Sequence, residues 1–144
     1  MPEETLMAFD FGEKRIGVAV GNSVTRCAAA LATLHVESNR ARLEAIAPLV
    51  AEWQPARLVI GEARYPDGRA HPVARLAHKF GNRLREAFRL PVEYVDETLS
   101  SAEAGQRLAA QGVRGPRRDA ALDAVAAQVI LQAWFEQQGR AHAA

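Results

Sequence analysis

The 144 residues are 49% hydrophobic and carry 18 basic against 17 acidic side chains, a net charge of +1. That length and balance suit one domain with a packed core and a site, and are too short for two lobes. The single cysteine, Cys27, excludes an internal disulfide and any zinc site of several thiolates, and no run of 18 apolar residues could span a membrane. The start, Met1-Pro-Glu-Glu, has neither the basic nor the apolar region of a signal peptide, so a cytoplasmic domain over 1–144 is expected, with short flexible ends at about 1–4 and 139–144. Net charge alone selects no partner. The only lysines are Lys14 and Lys79, and arginine's fork suits phosphate, although richness in Ala and Arg also fits a genomic coding bias. The placement of the arginines therefore matters more than their number.

Thr5-Leu-Met-Ala-Phe-Asp-Phe11 reads as a strand, Gly12-Glu-Lys-Arg15 as a turn, and Ile16, Val18 and Val20 as one face of a second strand. The short connection makes an antiparallel hairpin whose other face, Gly17, Ala19 and Gly21, is bare. Ala28 to Leu34 is a weaker third strand, because Ala is a poor strand former. Ser38 is a candidate N-cap for a helix facing inward through Leu43, Ile46, Ala47, Val50 and Trp53, with Pro48 as a blemish. Leu58–Gly61 is continuously apolar, as buried parallel strands are. After a loop punctuated by Pro66-Asp67-Gly68, a helix is predicted from Val73 to Phe88 and a short strand from Val92 to Val95. Ser100 and Glu103 form a capping box for a short helix ending at Gly112. Val113 to Arg118 reads as a basic loop, and a last helix runs from about Asp119 to Gln138. The order ββ(β)αβαβαα is a mixed α/β sandwich led by an antiparallel hairpin.

Three carboxylates sit where stability alone would not put them. Asp10 comes near the end of the first strand, between Phe9 and Phe11, where turn chemistry is the competing explanation. On the last helix Gln128, Gln132 and Glu136 centre a polar face, and Asp123 falls opposite them beside Ala126, Ala127, Ile130 and Trp134. A carboxylate on that apolar stripe costs several kcal/mol unless it is paired, hydrogen-bonded or bound to metal. Asp96-Glu97 follows a strand at its C-terminal end, where open α/β sheets bind ligands, and only one of the pair can face the site. If the strands of Asp10 and Glu97 lie near the sheet centre and the last helix packs across it, the three acids converge. Carboxylates without paired histidines or cysteines select Mg²⁺ or Mn²⁺. Two such ions about 4 Å apart clamp the attacking water and the leaving oxygen of a phosphodiester. Gly17 and Gly21 would leave room for a phosphate backbone, and Lys14, Arg15, Arg114, Arg117 and Arg118 would grip nucleic acid irrespective of its sequence.

Asp10-Phe-Gly-Glu-Lys-Arg-Ile-Gly-Val-Ala19, Pro66-Asp67-Gly68, Asp96-Glu97 with Ser100-Ser101-Ala102-Glu103, and Leu122-Asp123-Ala-Val-Ala-Ala127 occur in an order that resembles the YqgF family of bacterial RNase H-like nucleases, also called RuvX. The resemblance covers Met7 to about Gln137. It implies a five-stranded mixed sheet with helices on both faces, and a two-metal phosphodiesterase trimming the 5′ end of the 16S rRNA precursor. It assigns Asp10, Glu97 and Asp123 as metal ligands, with Asp10 bridging both ions. The family is also similar to Holliday-junction resolvases, so branched DNA stands as the alternative substrate, and a monomer or a homodimer would both serve. Thr98 stands where the family usually has Arg, and Gly61-Glu62-Ala63 where it has Gly-Leu-Pro. Asp119 and Ala121 replace lysines ahead of the final Asp, which bears on phosphate contacts rather than on the metal ligands. Glu62 could add a fourth acid.

Two other classes compete. Actin-like ATPases open on a similar hairpin but need two lobes, and this chain supplies one. An RNA-binding assembly factor on the same scaffold would have no use for a buried acid cluster, which favours the nuclease.

Overall fold

The computed structural model describes residues 3–62, 73–96 and 116–143, with the side chains of the last segment described over 123–138. Strands β1 (Thr5–Phe11), β2 (Arg15–Asn22) and β3 (Cys27–His35) form an antiparallel meander. Helix α1 (Asn39–Trp53), β4 (Arg57–Glu62), α2 (Val73–Phe88), β5 (Val92–Asp96) and α3 (Pro116–Ala143) follow. The sheet order is β3-β2-β1-β4-β5, with β4 parallel to both β1 and β5. The expected mixed five-stranded sheet is therefore present, with β1 at its centre. No described helix is long and apolar enough to cross a membrane.

Strand periodicity divides the core in two. Met7, Phe9 and Phe11 of β1 and Ile16, Val18 and Val20 of β2 point to one face, where they meet Ile46 of α1 and Ala77, Phe80 and Leu84 of α2. Leu6 and Ala8 point to the other, where α3 supplies Ile130, Leu131, Trp134 and Phe135. Leu6, Met7, Phe9, Ile16 and Leu131 are fully buried, and each such side chain contributes about 1.5–3 kcal/mol. The core thus fixes the phase of β1 and β2, because a one-residue slip would exchange their faces.

Several boundaries differ from expectation. The hairpin connection is Gly12–Lys14, one residue shorter than predicted, since β2 begins at Arg15. Helix α3 begins at Pro116 rather than Asp119: proline lacks an N–H that the first turn would not use, and its fixed φ suits helix entry. It also continues through Ala143. In α1 the Ser38 cap is as predicted, its hydroxyl accepting from the Ala41 N–H at 3.1 Å. The inward stripe is rotated, however: Arg42 and Ile46 are buried, while Ala47 and Trp53 are exposed. Pro48 lies inside the helix on its exposed side. The polar face of α3 is only partly given to solvent: Glu136 is exposed, but the two glutamines reach β3. Gln128 Nε2 donates to the Ala28 carbonyl at 2.9 Å, Gln132 Oε1 accepts from the Ala28 N–H at 3.2 Å, and Gln132 Nε2 donates to the Arg26 carbonyl at 3.0 Å. Small alanines in β3 let the helix come this close. The predicted Pro66–Gly68 loop and Ser100–Gly112 helix lie outside the described residues.

Candidate functional site

The parallel strands β1, β4 and β5 end at one edge of the sheet, and the β1–β2 turn lies at that edge too. Asp10 continues the Leu6, Ala8 series and so belongs to the α3 face of β1. Its register partner on β2 is Gly17. A Cβ built on Gly17 would lie 1.8 Å from the Asp123 carbonyl oxygen, 2.2 Å from its carbon and 2.9 Å from the Ala124 nitrogen. Glycine is required here because the backbone of α3 rests directly on that of β2. The bare strip expected to receive a phosphate backbone is instead filled by the protein: α3 covers Gly17, and Leu131 and Phe135 cover Gly21. What the strip does is seat α3 with Asp123 beside the strand pair that carries Asp10.

Both carboxylates line one open cleft of about 1310 Å³, together with Phe11, Lys14, Arg15 and Val73. The Asp123 side chain is 19% exposed, and Arg15 Nε lies 3.0 Å from its Oδ2. Arg15 thus neutralises a half-buried acid rather than standing free for phosphate. Lys14 is exposed, and the turn that carries it is tied to the connection between β3 and α1 through a bond from the Val36 N–H to the Lys14 carbonyl at 3.1 Å.

Of the acids and bases singled out in the sequence, Asp10, Asp123, Lys14 and Arg15 come together around the cleft. Glu97 and Arg114 lie outside the described residues, and Arg117 and Arg118 fall in the first turn of α3 rather than in a loop. Strand β5 is at the sheet edge, separated from β1 by β4, and not at the centre. Its phase places Val95 on the α3 face, so Asp96 belongs to the opposite face. Glu62 lies there as well. Leu58 and Ile60 fix that phase, and Glu62 Oε2 lies 3.4 Å from His78 Nε2 on α2, with His78 stacked on Tyr94 at 4.0 Å. It sits across the sheet from Asp10, which removes the basis for treating it as a fourth acid of the site.

Sequence reading missed Arg42, which is buried and donates from Nη2 to the Glu13 carbonyl at 2.6 Å. The available signal was its spacing four residues before Ile46, the same test that singled out Asp123 on α3.

The donor set suits a hard cation. Asp10 and Asp123 offer carboxylate oxygens of the kind that could hold a divalent ion, and Arg15 already offsets the charge of Asp123. Among the described residues no three acidic, histidine or cysteine side chains are grouped to hold a metal, and the third expected ligand, Glu97, is not among them.

The sequence profile described as "RuvX: Holliday junction resolvase" matches residues 4–137. A protein of Dechloromonas aromatica (strain RCB) named "Putative pre-16S rRNA nuclease" is 53% identical over 132 residues, which span 92% of this chain and 90% of that protein. One of Burkholderia lata with the same name is 49% identical over 135 residues, 94% of this chain and 91% of the other. Among solved structures, Thermus thermophilus RuvC in complex with a Holliday junction substrate superposes with a TM-score of 0.57 at 16% identity, over 94% of this chain and 95% of that one. Fowlpox virus resolvase with Holliday junction DNA gives 0.55 at 10% identity, over 93% and 98%. At such identities the likeness is one of fold, and the fold is the RNase H-like sheet of RuvC.

Proposed function

The chain belongs to the RuvX family, also called YqgF, and we propose that it is a metal-dependent nuclease that processes the 5′ end of the 16S rRNA precursor in the cytoplasm. One observation carries the reading: the Asp10 and Asp123 carboxylates share a cleft, and the contact of α3 with Gly17 fixes one relative to the other. A packing residue at either place would serve stability better, and two acids retained in one cleft, one of them beside Arg15, are a donor set that a divalent cation could share.

Mg²⁺ or Mn²⁺, as two ions, would supply a hydroxide-generating and charge-neutralising centre for phosphodiester hydrolysis. Asp10, Asp123 and Glu97 would hold them. The phase of β5, with Val95 on the α3 face and Asp96 on the other, supports Glu97 rather than Asp96 as the third acid. The rest falls to the chain's own groups. Asp10 presents its carboxylate from a strand locked on both sides by β2 and β4, which keeps it oriented without reorganisation. Asp123 is held by the helix seat, and Arg15 offsets its charge until a ligand takes over that task. Lys14, and Arg114, Arg117 and Arg118 ahead of Asp123, would bind phosphates of structured RNA and carry the salt-sensitive share of affinity.

The test is cleavage of end-labelled precursor-16S RNA, single-stranded DNA and a four-way DNA junction with Mn²⁺, Mg²⁺ or EDTA, alongside Asp10→Asn and Asp123→Asn. Metal-dependent cutting of the RNA, abolished in both variants, is expected. Preferred cutting of the junction would transfer the activity to branched DNA. No cutting of any substrate, with RNA binding indifferent to EDTA and to both substitutions, would make the protein a non-catalytic assembly factor.

A further inference from the structure

The turn that brings Lys14 to the cleft is short, exposed and made of Gly12, Glu13 and Lys14, yet it is held at two successive carbonyls. The Val36 N–H binds the Lys14 carbonyl at 3.1 Å, and Arg42 Nη2 binds the Glu13 carbonyl at 2.6 Å. Arg42 is a buried charged residue, 9% exposed, on the inward stripe of α1. Its Nη1 donates to Asn39 Oδ1 at 3.0 Å, and its guanidinium carbon lies 5.1 Å from the centroid of Phe11, the last residue of β1. Phe11 in turn packs on Phe80 of α2 at 5.1 Å. The Nε is buried and has no hydrogen-bond partner among the described residues.

A guanidinium in this position is a poor choice for stability. An unpaired buried N–H is costly, and a Met or Leu of similar bulk would cover Phe11 and Ile46 without it. What an apolar side chain cannot do is hold the Glu13 carbonyl, and with it the path of the turn. Arg15, though exposed, is engaged with Asp123, and Lys14 is the cation that the turn itself carries. We propose that Arg42 is a positioning residue that fixes the β1–β2 turn so that Lys14 meets a substrate phosphate at the cleft holding Asp10 and Asp123. This rests on the nuclease reading above and deepens it, since it names how the grip on nucleic acid is oriented from α1.

A double-mutant cycle on RNA affinity tests it, using the full chain, a labelled precursor-16S fragment and EDTA to prevent cutting. Lys14→Ala should weaken binding roughly three- to ten-fold and lower the slope of log K against log salt by about 0.7 for the lost phosphate contact. Arg42→Met should do the same to both, and the double variant should bind no more weakly than Lys14→Ala alone. Arg42→Lys, which keeps a cationic donor on a long side chain, should recover more of the affinity than Arg42→Met does. A residue important only for folding would instead give losses that add to those of Lys14→Ala and would leave the salt slope alone. Additive losses, or a folded Arg42→Met that binds as wild type, overturn the proposal. Should Arg42→Met not fold, Arg42→Gln completes the cycle under the same criteria. A wild-type protein that neither binds nor cuts the RNA in Mg²⁺ or Mn²⁺ would remove the RNA-processing reading, and the inference with it, which separates the two failures.

Discussion

Gly17→Ala probes the seat of α3 with a single methyl group. A side-chain carbon makes ordinary contact at about 3.4 Å, and the new Cβ would start 1.8 Å from the Asp123 carbonyl oxygen, so the helix must retreat by roughly 1.6 Å at this point. It cannot retreat as a whole, because Ile130, Leu131, Trp134 and Phe135 anchor its second half in the core. The displacement therefore concentrates near Asp123. Overpacking of this kind costs about 1–3 kcal/mol, a fall in Tm of about 3–10 °C for a domain of this size. Moving a reacting constellation by about 1 Å costs on the order of 100-fold in rate. Single-turnover cleavage of precursor RNA, measured well below the melting transition, should fall by about that factor. Gly21→Ala is the matched control: its Cβ would meet the ends of Leu131 and Phe135 and the Cys27 carbonyl at 2.9 Å, contacts remote from the acids. It should lower Tm while sparing the rate. Wild-type rate and Tm in Gly17→Ala would refute the reasoning, as would equal losses of activity in the two variants.

Arg15→Gln removes the cation beside Asp123, a pair worth at most about 1 kcal/mol at its exposure, so calorimetry on the nucleic-acid-free protein should find Mn²⁺ bound up to about five-fold more tightly. Weaker Mn²⁺ binding would mean that the arginine assists the ion instead. The Tyr94 hydroxyl is buried without a hydrogen bond among the described residues, so Tyr94→Phe should leave stability at neutral pH unchanged or raise it by up to about 1 kcal/mol in urea titrations, and a clear loss would contradict this. Burial raises the Tyr94 pKa above the usual phenol range, with the charge of Arg85 opposing and that of Glu62 reinforcing the shift. Below about pH 10 both states keep the proton; above it the unfolded chain loses it first, so stability declines with rising pH, and Tyr94→Phe should blunt that decline. Ser38→Ala deletes the α1 cap and should cost about 1 kcal/mol in the same titration, while Ser38→Gly costs only a few tenths.

What the sequence disclosed, and what it withheld, follows one physical line. Helix α2 occupies its predicted bounds, Val73–Phe88, because its apolar spacing is regular, and Ser38 caps α1 because the hydroxyl is a local device. Asp123 was legible because a carboxylate on an apolar stripe is anomalous on its own helix. Arg42 is the same anomaly on α1, hidden because Leu43 and Ala47 suggest a stripe one position off, and because arginine is ordinarily solvated. Gly17 was legible as a gap and not as a seat, since a strand's own residues do not say what packs on them. The side of the sheet that Glu62 takes depends on the phase of β4, which Leu58 and Ile60 set only once α2 is in place. Gln128 and Gln132 look like a solvated face until β3 arrives beneath them.

Those two glutamines give the sheet's outer rim a particular vulnerability. A terminal strand such as β3 offers unsatisfied amide groups that another chain can extend, the usual route to swapped dimers and fibrils. At Ala28 both groups are already occupied by α3, so a foreign strand can dock there only after the helix has lifted away. Lifting it at that end also loosens the rod that carries Asp123. Loss of the site and exposure of a sticky rim are therefore two faces of one opening event, and a ligand that clamps Asp123 to Asp10 would protect the chain against self-association as well.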